Sequence, residues 1–143
     1  MISIIVPIRN EKKFIGSCLD SIIKQSVNEQ AEILISDGMS TDGTREIIKK
    51  YQKNNSSIHI LDNPEKIVST GFNRALSIAR GKVIIRVDGH AIVKSNYIDQ
   101  CLKVLKKTNA DCVGGPILNS SDGIIGKSIN IAQKLKFGVG GVA

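Results

Sequence analysis

The residues best suited to chemistry in this chain fall where apolar runs end. Val83-Ile84-Ile85-Arg86-Val87 leads into Asp88-Gly89-His90. Ala31-Glu32-Ile33-Leu34-Ile35-Ser36 leads into Asp37-Gly38, and Ile2-Ser3-Ile4-Ile5-Val6 leads into Pro7-Ile8-Arg9-Asn10-Glu11. A carboxylate and an imidazole flanking a glycine offer one oxygen and one nitrogen donor. Mg²⁺ takes oxygen ligands and Mn²⁺ accepts imidazole as well. Asp88 and His90 are therefore candidate ligands for a divalent cation, and Gly89 would let the backbone come close to whatever that ion carries. The same residues have a plainer reading, in which Asp88 caps the following segment and His90 lies on the surface. Spacing alone leaves both open.

Loops that cradle phosphate directly do not account for these residues. Gly126-Lys127-Ser128 copies the end of a P-loop, but the upstream position that needs glycine holds Ser121, and no buried strand leads into it. Gly138-Val139-Gly140-Gly141-Val142-Ala143 fits the dinucleotide fingerprint by letter, yet it follows no clear strand. The first strand-to-helix turn, where that fingerprint belongs, reads Pro7-Ile8-Arg9-Asn10-Glu11 and has no glycine. A metal bridge is the other common way to hold a diphosphate.

These strand ends need a scaffold, and the hydrophobic pattern predicts one. Residues 2–7 are a β-branched apolar run, as in a strand buried on both faces. The pattern then turns helical, with Phe14, Ile15, Cys18, Leu19, Ile22 and Ile23 on one face and Asn10 as the expected N-cap. A strand over 31–36, a loop over 37–43 and a helix with Ile47, Ile48 and Tyr51 inward follow. A third strand is expected over 57–61, with a turn at Asn63-Pro64. Val68, Phe72, Ala75, Leu76 and Ala79 mark a third helix, with Gly81 as its expected C′ residue. The fourth strand is 82–87. Ile98, Cys101, Leu102 and Leu105 mark a fourth helix, residues 111–115 a short fifth strand, and Ile125, Ile129, Ala132 and Leu135 a last helix.

Strands alternating with helices, each strand a near-continuous apolar run, predict an α/β fold: a Rossmann-like, mostly parallel sheet with helices on both faces. Such sheets bind ligands outside the carboxyl ends of their strands. All three polar strand ends would then share one rim.

Composition is consistent with one globular domain over residues 1–143. The chain is 41% hydrophobic and 23% charged, and aromatics make up only 3%, so Ile, Val and Leu must fill the core. The net charge of +7 favours anionic partners, including phosphorylated small molecules or an acidic membrane surface. The lysines are scattered without a polybasic arm, so nucleic acid is not expected. The cysteines, Cys18, Cys101 and Cys112, are odd in number and widely spaced in apolar patterns, as reduced cytosolic thiols would be. The N-terminus has no basic region before its short apolar run and reads as neither signal peptide nor membrane span. The glycine-rich end, residues 137–143, suggests the front part of a longer protein.

The segments Ser3–Glu11, Glu32–Thr44, Gly71–His90 and Val113–Pro116 together resemble the nucleotide-sugar-binding half of family 2 glycosyltransferases, which have the GT-A fold. The likeness runs from Ile2 to about Pro116. The form with Asp-Gly-His and Val-Gly-Gly-Pro is similar to bacterial enzymes of exopolysaccharide synthesis, such as the succinoglycan glycosyltransferases. The resemblance implies an inverting glycosyltransferase that takes a sugar from a nucleotide-diphosphate donor. Its acceptor would be a glycan or a lipid-linked molecule, and it would work in the cytoplasm or at the inner face of the cell membrane. It implies that Pro7, Arg9 and Glu11 cup the base and ribose and that Asp37 bonds the base. The family's usual Asp-Asp-Gly-Ser is here Asp37-Gly38-Met39-Ser40. It implies that Asp88, with His90 in place of a second aspartate, binds a divalent cation, Mn²⁺ or Mg²⁺, on the diphosphate.

The family's catalytic base lies beyond the Val-Gly-Gly-Pro stretch, where the remaining sequence offers Asp122 in no fitting context, so no base is assigned. The rival reading is a non-catalytic nucleotide-binding fragment or subunit lacking the acceptor half. A receiver-like reading fits poorly, because the first strand ends in Pro7-Ile8-Arg9 rather than in acids. His59 is read as packing or surface, Asp42 as a carboxylate at the start of the second helix, and Asn73 and Arg74 as structural residues near the rim.

Overall fold

The computed structural model describes residues 1–25 and 30–115, with Ser128 and Ile131. The chain divides into two compact units, residues 1–100 and 101–143. The first unit carries β1 (Ile2–Ile8), α1 (Ile15–Ile23), β2 (Ala31–Asp37), α2 (Thr44–Asn54), β3 (Ile58–Asp62), α3 (Val68–Ile78) and β4 (Val83–Arg86). Helix α4 (Tyr97–Thr108) begins in the first unit and runs into the second.

The strands form a parallel sheet in the order β3-β2-β1-β4. The chain steps outward from β1 through β2 to β3, then returns across the sheet to place β4 on the other side of β1. Right-handed crossovers then put α1 and α2 on one face and α3 on the other. Side-chain parity agrees. Ile5 and Leu34, partners in register, pack with Ala75 of α3, and Leu61, Phe72, Ala79 and Ile84 close around them. Asp37 and Asp62, also partners in register but of the opposite parity, meet Arg45 of α2. Strand β1 is buried along its whole length, as its unbroken apolar run requires of a strand with neighbours on both sides and helices on both faces.

The end of the sheet opposite the rim is tied by a buried carboxylate. Glu32 is 4% exposed. It accepts hydrogen bonds from the Ser3 hydroxyl (2.6 Å), the Arg80 backbone N–H (2.7 Å), and Nε (3.0 Å) and Nη2 (2.8 Å) of Arg80. Burial raises its pKa, but these donors outweigh burial and hold it down at about 2.

Several expectations are corrected. Helix α1 begins at Ile15, not after Asn10, and Asn10 is a left-handed turn residue with φ 56°. Asparagine visits that conformation more readily than most residues, and here its Oδ1 is held by the N–H of Thr41. Phe14 and Ile23, expected inward, are 51% and 42% exposed, because the buried stripe of α1 is the narrower set Ile15, Cys18, Leu19 and Ile22. Val68 and Leu76 of α3 are likewise exposed, and its inward residues include the small Gly71 and Ala75. Gly81 is not a helix cap, since α3 ends at Ile78 with Ala79 as C-cap. Its place depends on close approach instead: a Cβ there would lie 2.3 Å from the backbone N of Ser3. The third strand is shifted by one residue and the fourth is shorter, ending at Arg86. Residues 111–115 form no strand, and no described strand pairs with them. The two glycines leave little side-chain surface to hold a strand there. The expected last helix lies largely outside the described residues.

Candidate functional site

At the rim, β1 and β4 stop pairing where one hydrogen-bond donor is missing. Along β1, odd residues turn their backbone groups toward β4: the carbonyl of Ile5 accepts the N–H of Val87 at 3.0 Å. Even residues turn toward β2, and the carbonyl of Ile8 accepts the N–H of Gly38 at 2.8 Å. Pro7 therefore faces β4, and proline has no N–H to donate. The β1–β4 register ends at Ile5↔Arg86, while β1–β2 runs on to Ile8↔Asp37. The chain after β4 is released from the sheet just where the strand order reverses, the topological switch point of an open α/β sheet.

The released segment does not leave the rim. Gly89 is buried against the end of β1, where a Cβ would lie 2.5 Å from Cγ2 of Ile8 and 3.2 Å from Cγ of Glu11. His90, 62% exposed, places Nδ1 3.0 Å from Oε1 of Glu11. Asp88 is half-exposed, and its Oδ1 accepts both Nε and Nη2 of Arg86 at 3.1 Å. No described residue bonds its Oδ2. The backbone carbonyl of Asp88 faces the Cys18 thiol at 3.6 Å. Burial first, then the nearby Glu11 and Asp88 charges, push that thiol up to about 12.

On the other side of β1, the turn after it is fastened to the loop after β2. The N–H of Asn10 donates to the Ser40 hydroxyl (2.8 Å), and its Oδ1 accepts the N–H of Thr41 (2.9 Å). The N–H of Glu11 donates to the Thr44 hydroxyl (2.9 Å), and that of Lys12 to Asp42 (3.0 Å). Thr44 in turn donates to Asp42, whose carboxyl these bonds, Thr44 first, hold below its ordinary range. Asp42 thus serves the start of α2, as expected.

The structure brings Glu11 and His90 into contact, while Asp88, two residues before His90, pairs with Arg86; Pro7 and Arg9 lie at the end of β1. Arg9 is exposed and packs along Gly38, where a Cβ would lie 3.2 Å from its own. Asp37 has a different environment from the others. It is fully buried, and its carboxylate accepts the N–H and hydroxyl of Ser40 and Nη1 of Arg45 (2.8 Å). Arg45 also meets Asp62 at 2.7 Å, and Asp62 is 62% exposed. The guanidinium separates two carboxylates that the register places side by side. Asp62, Arg45 and Arg86 were not singled out from the sequence. Asp62 carried the signal that marked Asp37, an acid closing an apolar run. Arg45 and Arg86 carried none, since an arginine in a helix or strand reads as surface. Arg74 pairs with Glu65 at 2.6 Å, and His59 is exposed. Asp122 lies outside the described residues. A cavity of about 370 Å³ sits away from the rim, between α1 and residues 92–95.

Among the described residues no group of three or more His, Cys, Asp or Glu side chains could hold a metal by itself. The donor set at the rim, one carboxylate oxygen and one imidazole nitrogen, fits an ion that takes its other ligands from a diphosphate and water.

A sequence profile described as glycosyl transferase family 2 matches residues 3–136. The chain is a member of glycosyl transferase family 2. It is 31% identical over 140 residues to the succinoglycan biosynthesis protein ExoA of Rhizobium meliloti, covering 96% of this chain and 42% of ExoA. It is 33% identical over 126 residues to glycosyltransferase GlyG of Streptococcus pneumoniae, covering 86% of this chain and 42% of GlyG. This family 2 chain thus spans well under half the length of these relatives. Its fold matches residues 1–349 of S. aureus TarS with a TM-score of 0.69 at 23% identity, over 82% of this chain and 38% of that one. It also matches the mannosyltransferase PcManGT of Pyrobaculum calidifontis, solved with GDP-Man and Mn²⁺, with a TM-score of 0.68 at 25% identity, over 73% and 32%. The expected α/β architecture of the family is what the sheet shows.

Proposed function

We propose that the rim binds a nucleotide-diphosphate sugar and that this chain is the donor-binding domain of an inverting glycosyltransferase. The observation that carries the reading is the switch point beside Pro7, where the segment Asp88-Gly89-His90 lies against the end of β1 and His90 meets Glu11. Relatives support it: TarS has been solved with UDP-GlcNAc and PcManGT with GDP-Man and Mn²⁺. The acceptor is a glycan or lipid-linked molecule, met in the cytoplasm or at the inner membrane face. No helix among the described residues is long and apolar enough to cross a membrane.

In this reading Pro7 and Arg9 line the nucleoside side, Glu11 stands against Gly89 and His90, and the Asp37–Arg45–Asp62 group fixes the floor on which the base rests. Asp37 acts there through the loop it holds, or on the base after exchanging its Ser40 bond. Asp88 and His90 would hold a divalent cation, which when bound supplies positive charge to the departing diphosphate. Asp88 can do so through Oδ2 while Arg86 keeps Oδ1.

The test is a thermal-shift panel of nucleoside diphosphates with and without Mn²⁺. A ligand at 100 times its Kd adds about 2.7 kcal/mol, and the shift should grow with the ion. Asp88→Ala should abolish the Mn²⁺-dependent part and leave the fold intact, because Asp88 is half-exposed. His90→Asp should tighten the ion. Unchanged Mn²⁺ dependence in Asp88→Ala would reduce Asp88 to a capping residue.

A further inference from the structure

We infer that Glu11 is a positioning residue for His90, acting on the diphosphate end of the donor through the imidazole rather than on the nucleoside. The inference rests on the donor-binding reading above. A carboxylate can only accept hydrogen bonds. In the neutral ring, the 3.0 Å contact between Oε1 of Glu11 and Nδ1 of His90 therefore places the hydrogen on Nδ1. That leaves the lone pair on Nε2, the nitrogen for which no described residue is a partner. Metal-binding histidines are oriented in this way by a carboxylate on the other ring nitrogen.

The contact is built rather than incidental. Glu11 is 20% exposed while His90 is 62% exposed, so the carboxylate is the fixed member of the pair. Its backbone N–H is held by Thr44, and Thr44 is buried and bonded to Asp42. Its stem lies over Gly89, where a Cβ would sit 3.2 Å from Cγ of Glu11 and 2.5 Å from Ile8. Any larger residue at 89 would push the two sides apart. The first residue of α2 thus sets Glu11, Glu11 sets the His90 ring, and Gly89 lets them meet across the switch point. With aspartate at position 90 no such orientation would be needed, since either carboxylate oxygen can serve as ligand.

The experiment uses the 143-residue chain, four single variants and one double variant. Glu11→Met keeps the stem over Gly89 and removes the acceptor, with Glu11→Ala as a substitute if it does not fold. Glu11→Gln restores an acceptor oxygen. His90→Ala and Asp88→Ala test the ligands themselves. Without metal, ¹⁵N NMR of the neutral His90 ring should show the Nδ1–H form in the parent and in Glu11→Gln, and its loss in Glu11→Met. Mn²⁺ binding to the chain with UDP or GDP, followed by water-proton relaxation, should weaken about tenfold in Glu11→Met, the low end for such partners because the ring is largely exposed. The double variant with His90→Ala should bind no worse than His90→Ala alone. Metal-free UDP or GDP binding should not change.

An unchanged ring tautomer in Glu11→Met overturns the inference. So does a Glu11 effect that multiplies with that of His90→Ala, or one of equal size without Mn²⁺, which would place Glu11 on the nucleoside. If Asp88→Ala and His90→Ala both leave Mn²⁺–nucleotide binding untouched, the metal reading itself falls and the inference falls with it.

Discussion

Replacing Glu32 by glutamine should destabilise the fold in a pH-dependent way without changing donor binding by the folded protein. Glu32 is buried at the amino end of β2 and held by Ser3 and Arg80, with its pKa lowered to about 2 from an ordinary 4.5. The sign follows from linkage. A carboxylate with a depressed folded-state pKa adds stability that is fully present above its unfolded pKa and lost as pH falls toward the folded one. The shift corresponds to about 3 kcal/mol at neutral pH, falling to about 1 kcal/mol near pH 3. Glutamine keeps an acceptor for Ser3 and the Arg80 backbone N–H but turns an amide N–H₂ toward the guanidinium donors of Arg80. Urea denaturation of parent and variant at a series of pH values from neutral to about 3 measures the difference directly, with other carboxylates cancelling between the two proteins. A gap that stays constant with pH, or is below about 0.5 kcal/mol at neutral pH, would show that Arg80, whose side chain is 67% exposed, holds no charge on Glu32 worth counting. Nucleotide affinity should be equal in the two proteins, because Glu32 and the rim lie at opposite ends of the strands.

Other outcomes follow from the same geometry. Arg45→Ala leaves the fully buried Asp37 without its cation and should cost about 3 kcal/mol by denaturant unfolding, whereas Asp62→Ala, which removes an exposed partner, should cost under about 1 kcal/mol. Gly81→Ala drives a Cβ into the Ser3 backbone, which cannot swing aside as a side chain can, and should cost at least 1–3 kcal/mol, about the ordinary range for overpacking. Cys18, buried and pushed up to about 12, should resist alkylation by iodoacetamide at about pH 8 while the exposed Cys112 reacts, and mass spectrometry of the native protein reads this out.

Much of the scaffold was legible because burial on both sides of a parallel strand leaves an unbroken apolar run, and such runs located β1 to β4 within a residue or two. The polar residues ending those runs then fell on one rim by the geometry of a parallel sheet. Asp88, His90, Glu11 and Pro7 could be named for that reason. The helix faces were less legible. Phe14, Ile23, Val68 and Leu76 fit a helical period, but which strip of a helix is covered depends on what packs against it, and sequence period does not report that. Gly81 read as a cap because its neighbours suggested a helix end; its real constraint, the backbone of Ser3, is far away in sequence.

What the sequence determined by itself was therefore the set of elements and the chemistry at their ends, since both depend on local pattern. What only the tertiary structure decided was which of those ends face one another. Glu11 reaches His90, and Asp37 is spent on Ser40 and Arg45 beside Asp62, because strand order and register bring together side chains whose separation along the chain carries no local signal.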